Sequence, residues 1–232
     1  MRRHTAGVVP GTHLVPALIS RVERYDPAKV VERLEPLVLE RRAQKLRDTI
    51  ARRLASVQVV FDAPHDPHNG AAVVRSCEAF GVQFIHVVER KERFLLAPSV
   101  ARGSEKWVDP RIWPTSLDAV TAMKKDGLEL VAADPTGDLA PEDLADIPRL
   151  GLVLGNERDG IAEDLLAACT RRVRVPMRGF VESLNVSVSA AILLSAATSR
   201  RPGDLTRDDY LRVYARGLYF TVERADDVLR DL

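Results

Sequence analysis

Three stretches of the chain place polar side chains directly after apolar runs, where they could line a ligand site. The stretches read DPHNGAAVVR (66–75), LVLGNERDGI (152–161) and VPMRGFVESLNVSV (175–188). Each lies where a predicted strand ends, and open α/β sheets bind ligands in the crevice at that edge. Each stretch alone has a structural explanation, because glycine after a buried strand is typical of turns, and residues such as Ser183 and Asn185 often cap helices. Only the combination of the three therefore points to a site.

Several common sites are missing from the sequence. No G-x-G-x-x-G follows the first predicted strand and no G-x-x-x-x-G-K-[ST] occurs, which argues against a Rossmann pyrophosphate loop and a P-loop. His65 and His68 lie close together, but no cysteine or further histidine clusters with them, so we expect no metal site. No G-x-S-x-G surrounds any serine, which disfavours a hydrolase.

From Val57 onward, predicted strands and helices alternate, a pattern typical of a mostly parallel sheet with helices on both faces. Strands are expected at 57–62, 83–88, 110–113, 128–133, 151–154 and 172–175. Helices are expected at 69–80, 116–126, 161–169, 183–198 and 206–219. Residues 90–109 fit neither period and are expected to form a long, partly helical excursion. The predicted fold class is α/β with an N-terminal helical extension.

The segment before the first strand combines an arm with a basic helix. Residues 1–25 show no periodicity, whereas Asp26 and Pro27 form a helix-start signal. A second helix repeats apolar residues every four positions from Leu46 to Leu54. Its remaining faces carry an excess of basic side chains, which favours a surface for RNA phosphates over a merely solvated face. The candidate RNA-binding residues are Arg41, Arg42, Lys45, Arg52, Arg53 and His68.

The composition is typical of a globular protein. Hydrophobic residues make up 46% of the 232 residues, and the formal net charge is +1, so affinity for nucleic acid must come from local clusters of charge. No signal peptide is visible, and the longest uncharged run, 183–199, is too short and too polar to span a bilayer. The two cysteines fit reduced thiols. We therefore expect a soluble, cytoplasmic protein with no membrane partner.

In order and spacing, the three stretches resemble the motifs of the SpoU or TrmH group of SPOUT methyltransferases. The matching segments are NGAAVVR (69–75), LGNERDG (154–160) and VPMRGFVESLNVSV (175–188), with GSEKW (103–107) in addition. The resemblance implies transfer of a methyl group from S-adenosylmethionine to a ribose 2′-hydroxyl of RNA. The basic helix before the first strand resembles the tRNA enzymes that methylate guanosine 18.

Two alternatives stay open, and the long arm before residue 27, which departs from the shortest members of the group, bears on the RNA substrate rather than on the chemistry. One is an enzyme for ribosomal RNA, including the resistance type. The other is a noncatalytic, knotted RNA-binding relative, which the retention of all the motif residues disfavours.

The resemblance also implies a fold, an assembly and site residues. The fold is a deep trefoil knot, formed as the chain after the 172–175 strand threads through a loop, contrary to the usual absence of knots. The assembly is a homodimer. The chain is expected to divide into an N-terminal arm with a basic helical extension (1–56), the methyltransferase domain that carries the resemblance (57–199) and a C-terminal helical tail (200–232). The implied catalytic residues are Asn69, Arg75, Glu157, Ser183 and Asn185. The implied cofactor-binding residues are Ala133, Leu154, Gly155, Val175, Met177 and Leu184.

The role implied for Arg75 is activation of the ribose 2′-hydroxyl. One version makes the side chain a literal base, but removing a proton from an arginine near neutral pH costs roughly 8 kcal/mol. We therefore favour Arg75 as a fixed cation that orients the RNA and stabilises developing negative charge, with a phosphate or water accepting the proton. Arg75 and the loops are then held in place by Glu157, Ser183 and Asn185. The alternative is that these three residues only stabilise the structure of the loops.

Overall fold

The computed structural model of the chain describes residues 21–90, 93–156 and 158–232. Its strands are β1 (Val57–Asp62), β2 (Phe84–Val88), β3 (Asp109–Trp113), β4 (Glu129–Ala133), β5 (Leu150–Leu154) and β6 (Arg171–Val173). They form one sheet in the order β3-β2-β1-β5-β4-β6, and its neighbouring strands pair in parallel. The predicted α/β class and the positions of the strands are confirmed, and the strand ends differ by no more than two residues.

Helices connect and flank the strands. They are α1 (Pro27–Leu34), α2 (Glu40–Ile50), α3 (Pro67–Ala79), α4 (Pro98–Ala101), α5 (Ser116–Lys125), α6 (Glu163–Leu166), α7 (Val186–Thr198), α8 (Arg207–Tyr219) and α9 (Ala225–Val228). Short 3-10 helices occupy Glu35–Leu37, Ser104–Lys106 and Pro141–Asp146. The helix predicted at 161–169 is thus a single turn, and the helix predicted from residue 183 begins at Val186.

β1 and β5 lie at the centre of the sheet, and every residue of both strands is buried, as expected for parallel strands that are covered on both faces. Alternate side chains of β1 enter different cores. Val59 and Phe61 pack in the cluster that α3 and α7 cover, whereas Val60 packs in the cluster that α5 covers. The edge strand β6 is shorter, and its Arg171 is exposed.

The N-terminal and C-terminal helices pack on each other in a third cluster. Val30 and Leu34 of α1, Ile50 of α2 and Leu218 of α8 are its buried members at this contact. The Asp26 side chain accepts the Lys29 backbone N–H (3.0 Å), as the predicted helix-start signal requires. Most of the predicted arm, residues 1–20, lies outside the described residues.

No helix within the described ranges has the length and apolar character that crossing a membrane requires.

Candidate active site

A cavity of about 830 Å³ opens where β4, β5 and β6 end. Its wall comes from the chain after β4, the loop after β5, and the stretch between β6 and α7. Parallel strands carry their carboxyl ends to the same edge of a sheet, which is why segments distant in sequence meet here. All the residues predicted to bind a cofactor lie in this wall: Ala133, Leu154, Gly155, Val175, Met177 and Leu184.

The loop after β5 is held in a tight shape by its own hydrogen bonds. The Asn156 N–H donates to the Gly160 carbonyl (3.0 Å), and the Gly160 N–H donates to the Asn156 carbonyl (3.1 Å). The Asn156 side-chain oxygen accepts two further N–H groups of the loop, at 2.9 and 2.8 Å. Glycine is required at 155, because a Cβ there would lie 2.6 Å from the Ile161 nitrogen. Glu157, predicted to be catalytic, lies outside the described residues.

Asn185 connects the third stretch to the first. Its Oδ1 accepts the backbone N–H of Ser187 (2.8 Å) and so caps α7. Its Nδ2 donates to Oδ1 of Asn69 on α3 (3.0 Å). Two predicted catalytic residues, 116 positions apart, therefore meet beside the cavity.

Ser183 lines the cavity, but it does not cap α7. Of the two predicted capping residues, Asn185 is confirmed and Ser183 is not, because the Asn185 amide satisfies a backbone N–H at the first turn and the helix begins directly after it. This leaves the Ser183 side chain on the segment that approaches the cavity from the β6 side.

Arg75 lies on the exposed side of α3, six residues beyond Asn69. Within residues 21–90, 93–156 and 158–232, no ion pair involves it, and it does not line the cavity of its own chain. Glu78, the neighbour one turn along the helix, lies 3.9 Å from the Arg53 guanidinium instead. His68 is also exposed and contacts Asp66 (3.2 Å). The structure thus brings Asn69 to the cavity and leaves Arg75 facing solvent.

Asp134 is a charged residue of the cavity wall that the sequence analysis did not single out. Partial burial acts to raise the pKa of its carboxyl, but hydrogen bonds from Thr136 (2.7 Å) and the ion pair with Arg172 (3.1 Å) outweigh this, and the pKa is lowered. Asp134 directly follows the predicted strand 128–133, and this position at a strand end could have identified it as a site residue.

The basic helix is only partly directed to solvent. Arg41, Arg42, Lys45 and Arg52 are exposed, as an RNA-binding surface requires. The prediction for Arg53 is wrong, because this residue is only 2% exposed. Its guanidinium donates to the Val82 carbonyl (3.1 Å) and to the Gln83 side chain, which fixes it under the helix.

In the described portion of the chain, no group of three or more His, Cys, Asp or Glu side chains could hold a metal ion.

Residues 56–195 match the sequence model of the SpoU rRNA Methylase family. The tRNA (guanosine(18)-2′-O)-methyltransferase of Escherichia coli K12 is 33% identical over 161 residues, covering 69% of this chain and 70% of that protein. The enzyme of the same name from Thermus thermophilus is 32% identical over 163 residues, covering 70% and 84%.

Two solved structures extend this likeness. The fold is similar to that of an A. aeolicus TrmH/SpoU tRNA modifying enzyme, with a TM-score of 0.70, 24% identity, and coverage of 80% of this chain and 98% of that one. The SpoU methyltransferase AviRb from Streptomyces viridochromogenes, in complex with the cofactor AdoMet, has a TM-score of 0.54 and 27% identity, covering 65% and 61%.

Proposed function

Because the chain belongs to the SpoU methylase family, we propose that it transfers a methyl group from S-adenosylmethionine to the ribose 2′-hydroxyl of guanosine 18 in tRNA. The chain is a methyltransferase by this membership, and the relatives named for guanosine 18 support the substrate. The observation that carries the proposal is the cavity, whose wall includes the second and third motif stretches, together with the Asn185–Asn69 bond that joins the first.

The cavity fits the cofactor. Its volume of about 830 Å³ lies within the range of small-molecule pockets, and its wall includes the apolar residues Leu154, Val175 and Leu184. Gly155 leaves the loop backbone bare where a side chain could not fit. The residues that would hold S-adenosylmethionine are Ala133, Leu154, Gly155, Val175, Met177 and Leu184. When bound, this group would supply a sulfonium methyl carbon that a ribose oxygen can attack in line, with the neutral thioether as the leaving group.

The protein's own contribution is positioning and charge. Asn185 and Asn69 hold the third stretch against α3, and fixed geometry of this kind can lower a barrier substantially. Arg75, exposed and without an ion pair among the described residues, is available to an RNA phosphate or a developing alkoxide. A phosphate or a water then accepts the ribose proton.

The pH–rate profile of Arg75→Lys distinguishes this role of Arg75 from that of a base. If Arg75 is a fixed cation, Arg75→Lys should react more slowly, but the rate should change with pH over the same pH range as in the wild type. Loss of that pH dependence in Arg75→Lys would instead support proton abstraction by the guanidinium.

The exposed basic side chains of α2 and the turn after it form the proposed tRNA surface: Arg41, Arg42, Lys45 and Arg52, with His68 of α3. Replacing Arg42 and Lys45 with alanine should weaken tRNA binding. The slope of log affinity against log salt should fall by about one for each phosphate that the variant no longer neutralises. Cofactor affinity should not change. An equal decrease in cofactor affinity would contradict the assignment of this surface.

We further propose that the protein is a homodimer. Val188 and Ile192, one turn apart on α7, are 46% and 37% exposed, and Phe180 is fully exposed in the preceding loop. An apolar strip of this kind next to a site fits an interface with a second copy. Sedimentation of wild type and Ile192→Asp tests this, since the variant should be monomeric. A monomeric wild type would refute it.

We also propose that the chain forms a trefoil knot and that the protein is cytoplasmic. The packing of α7 against α3 and against the Pro141–Asp146 segment is compatible with a threaded chain. An experimental backbone trace that leaves residues 174–185 outside any loop would refute the knot. Cell fractionation tests the location.

The decisive assay incubates the protein with labelled S-adenosylmethionine and tRNA transcripts that carry guanosine or adenosine at position 18. Label should enter only the guanosine transcript and appear as 2′-O-methylguanosine after digestion. Label in ribosomal RNA instead would identify the ribosomal alternative. If the protein neither bound the cofactor nor transferred label, it would be a noncatalytic relative.

A further inference from the structure

The loop after β5 is joined at both of its ends to the last two residues of β1. Phe61 pairs with Leu154, where the loop begins. Asp62, the next residue, accepts the backbone N–H of Ala162 on its Oδ2 (2.7 Å), where the loop ends. Leu154 and Ile161 lie in the cavity wall, whereas Asp62 does not. The end of one strand therefore sets the spacing between the two ends of the loop.

The Asp62 carboxylate is itself held in place by a guanidinium. It is 1% exposed, and an ionised carboxylate at such a depth requires a partner. Arg90 supplies this partner, because its Nε lies 2.8 Å from Asp62 Oδ1. The Nη2 of Arg90 donates to Ser116 Oγ and to Asp164 Oδ1, both at 2.8 Å. These contacts leave the carboxylate little freedom to rotate away from Ala162.

We propose that Asp62 is a positioning residue for cofactor binding, which, with Arg90, holds Gly155, Asn156, Gly160 and Ile161 where they line the cavity. The inference rests on the proposed function. It follows from preorganisation, since a loop that is already ordered loses less conformational freedom when a ligand binds. Neither side chain needs to touch the cofactor or the RNA.

The test measures S-adenosylmethionine binding by calorimetry, together with KM for each substrate. Asp62→Ala removes both the acceptor for Ala162 and the partner of Arg90, so it should weaken cofactor binding about tenfold, the factor expected when a buried hydrogen bond is removed. Asp62→Asn keeps an acceptor oxygen and should recover part of this affinity. KM for S-adenosylmethionine should rise while KM for tRNA stays within about twofold of the wild type.

A matched control is Asp126→Asn, which removes another aspartate paired with an arginine, Arg111 (2.9 Å), away from the loop. It should leave cofactor affinity unchanged. All binding is measured well below the lowest unfolding temperature of the set, so that a merely structural role would lower the unfolding temperature without moving the affinity of the folded protein.

The outcomes separate the inference from the function on which it rests. If the wild type binds no S-adenosylmethionine, the proposed function fails. If the wild type binds and Asp62→Ala binds equally well, the positioning role is overturned. Should Asp62→Ala not fold, Asp62→Asn and Arg90→Gln decide, and unchanged cofactor affinity in both would overturn it.

Discussion

The Asn185 side chain performs two functions that substitution can separate. Its Oδ1 caps α7 through the Ser187 N–H, and its Nδ2 donates to Asn69. Asn185→Ala removes both, at a cost of about 1 kcal/mol for the cap and about 1 kcal/mol for the hydrogen bond. Asn185→Asp keeps the capping oxygen and adds a negative charge at the helix N-terminus, which favours α7 by roughly 0.3–1 kcal/mol.

Urea unfolding at one fixed protein concentration measures both effects, because dimerisation would make the stability depend on concentration. We expect Asn185→Ala to lower the free energy of unfolding by about 2 kcal/mol and Asn185→Asp by less than about 1 kcal/mol. Methyl transfer should fall in both variants, since both change the contact between Asn69 and the third stretch.

A double-mutant cycle with Asn69→Ala isolates the bond between the two side chains. The coupling free energy should be about 1 kcal/mol. A coupling near zero would refute the Asn69–Asn185 contact, and an equal loss of stability in Asn185→Ala and Asn185→Asp would refute the capping argument.

Two further predictions concern the buried side chains of Arg53 and His86, and a third concerns Gly155 in the loop after β5. Arg53→Ala should lower the free energy of unfolding by roughly 3 kcal/mol, because the buried partners of Arg53 lose a charged donor. Arg52→Ala should change the free energy of unfolding by less than about 0.5 kcal/mol. Chemical denaturation of the two variants measures the difference. Burial lowers the pKa of His86 to about 4, so its proton is bound more strongly in the unfolded chain. Stability should be retained above pH 6.5 and lost as the pH falls towards 4, by roughly 3 kcal/mol, and His86→Gln should abolish this component of the pH dependence in thermal melts. Gly155→Ala should abolish cofactor binding in calorimetry, since the added methyl group would collide with the Ile161 nitrogen.

Each of these predictions can be contradicted by a single comparison. Equal stability of Arg53→Ala and Arg52→Ala would place Arg53 at the surface. An unchanged pH dependence in His86→Gln would assign the acid sensitivity to other groups. Wild-type cofactor affinity in Gly155→Ala would show that the loop can yield without loss of the site.

The order of elements and the motif positions could be predicted from local pattern. β5 is a continuous apolar run and β1 is apolar except for Gln58 and Asp62, and such mainly apolar runs bounded by turn residues predict buried strands. The residues predicted to hold the cofactor line one cavity, because strand ends of a parallel sheet necessarily share an edge. The helix-start signal at Asp26 and Pro27 is similarly local and is confirmed.

What the sequence alone determined is therefore the alternation of strands and helices, the edge at which a ligand site forms, and the family whose motifs occupy that edge. Only the tertiary structure decided that Arg53 is buried while its neighbour Arg52 is exposed, since the turn after α2 directs one side chain inward and the other outward. It likewise decided that Asp62 bonds Ala162, 100 positions away, and that Asn69 bonds Asn185. Periodicity describes neighbours along the chain, whereas these contacts depend on how β1, α3 and α7 pack in space.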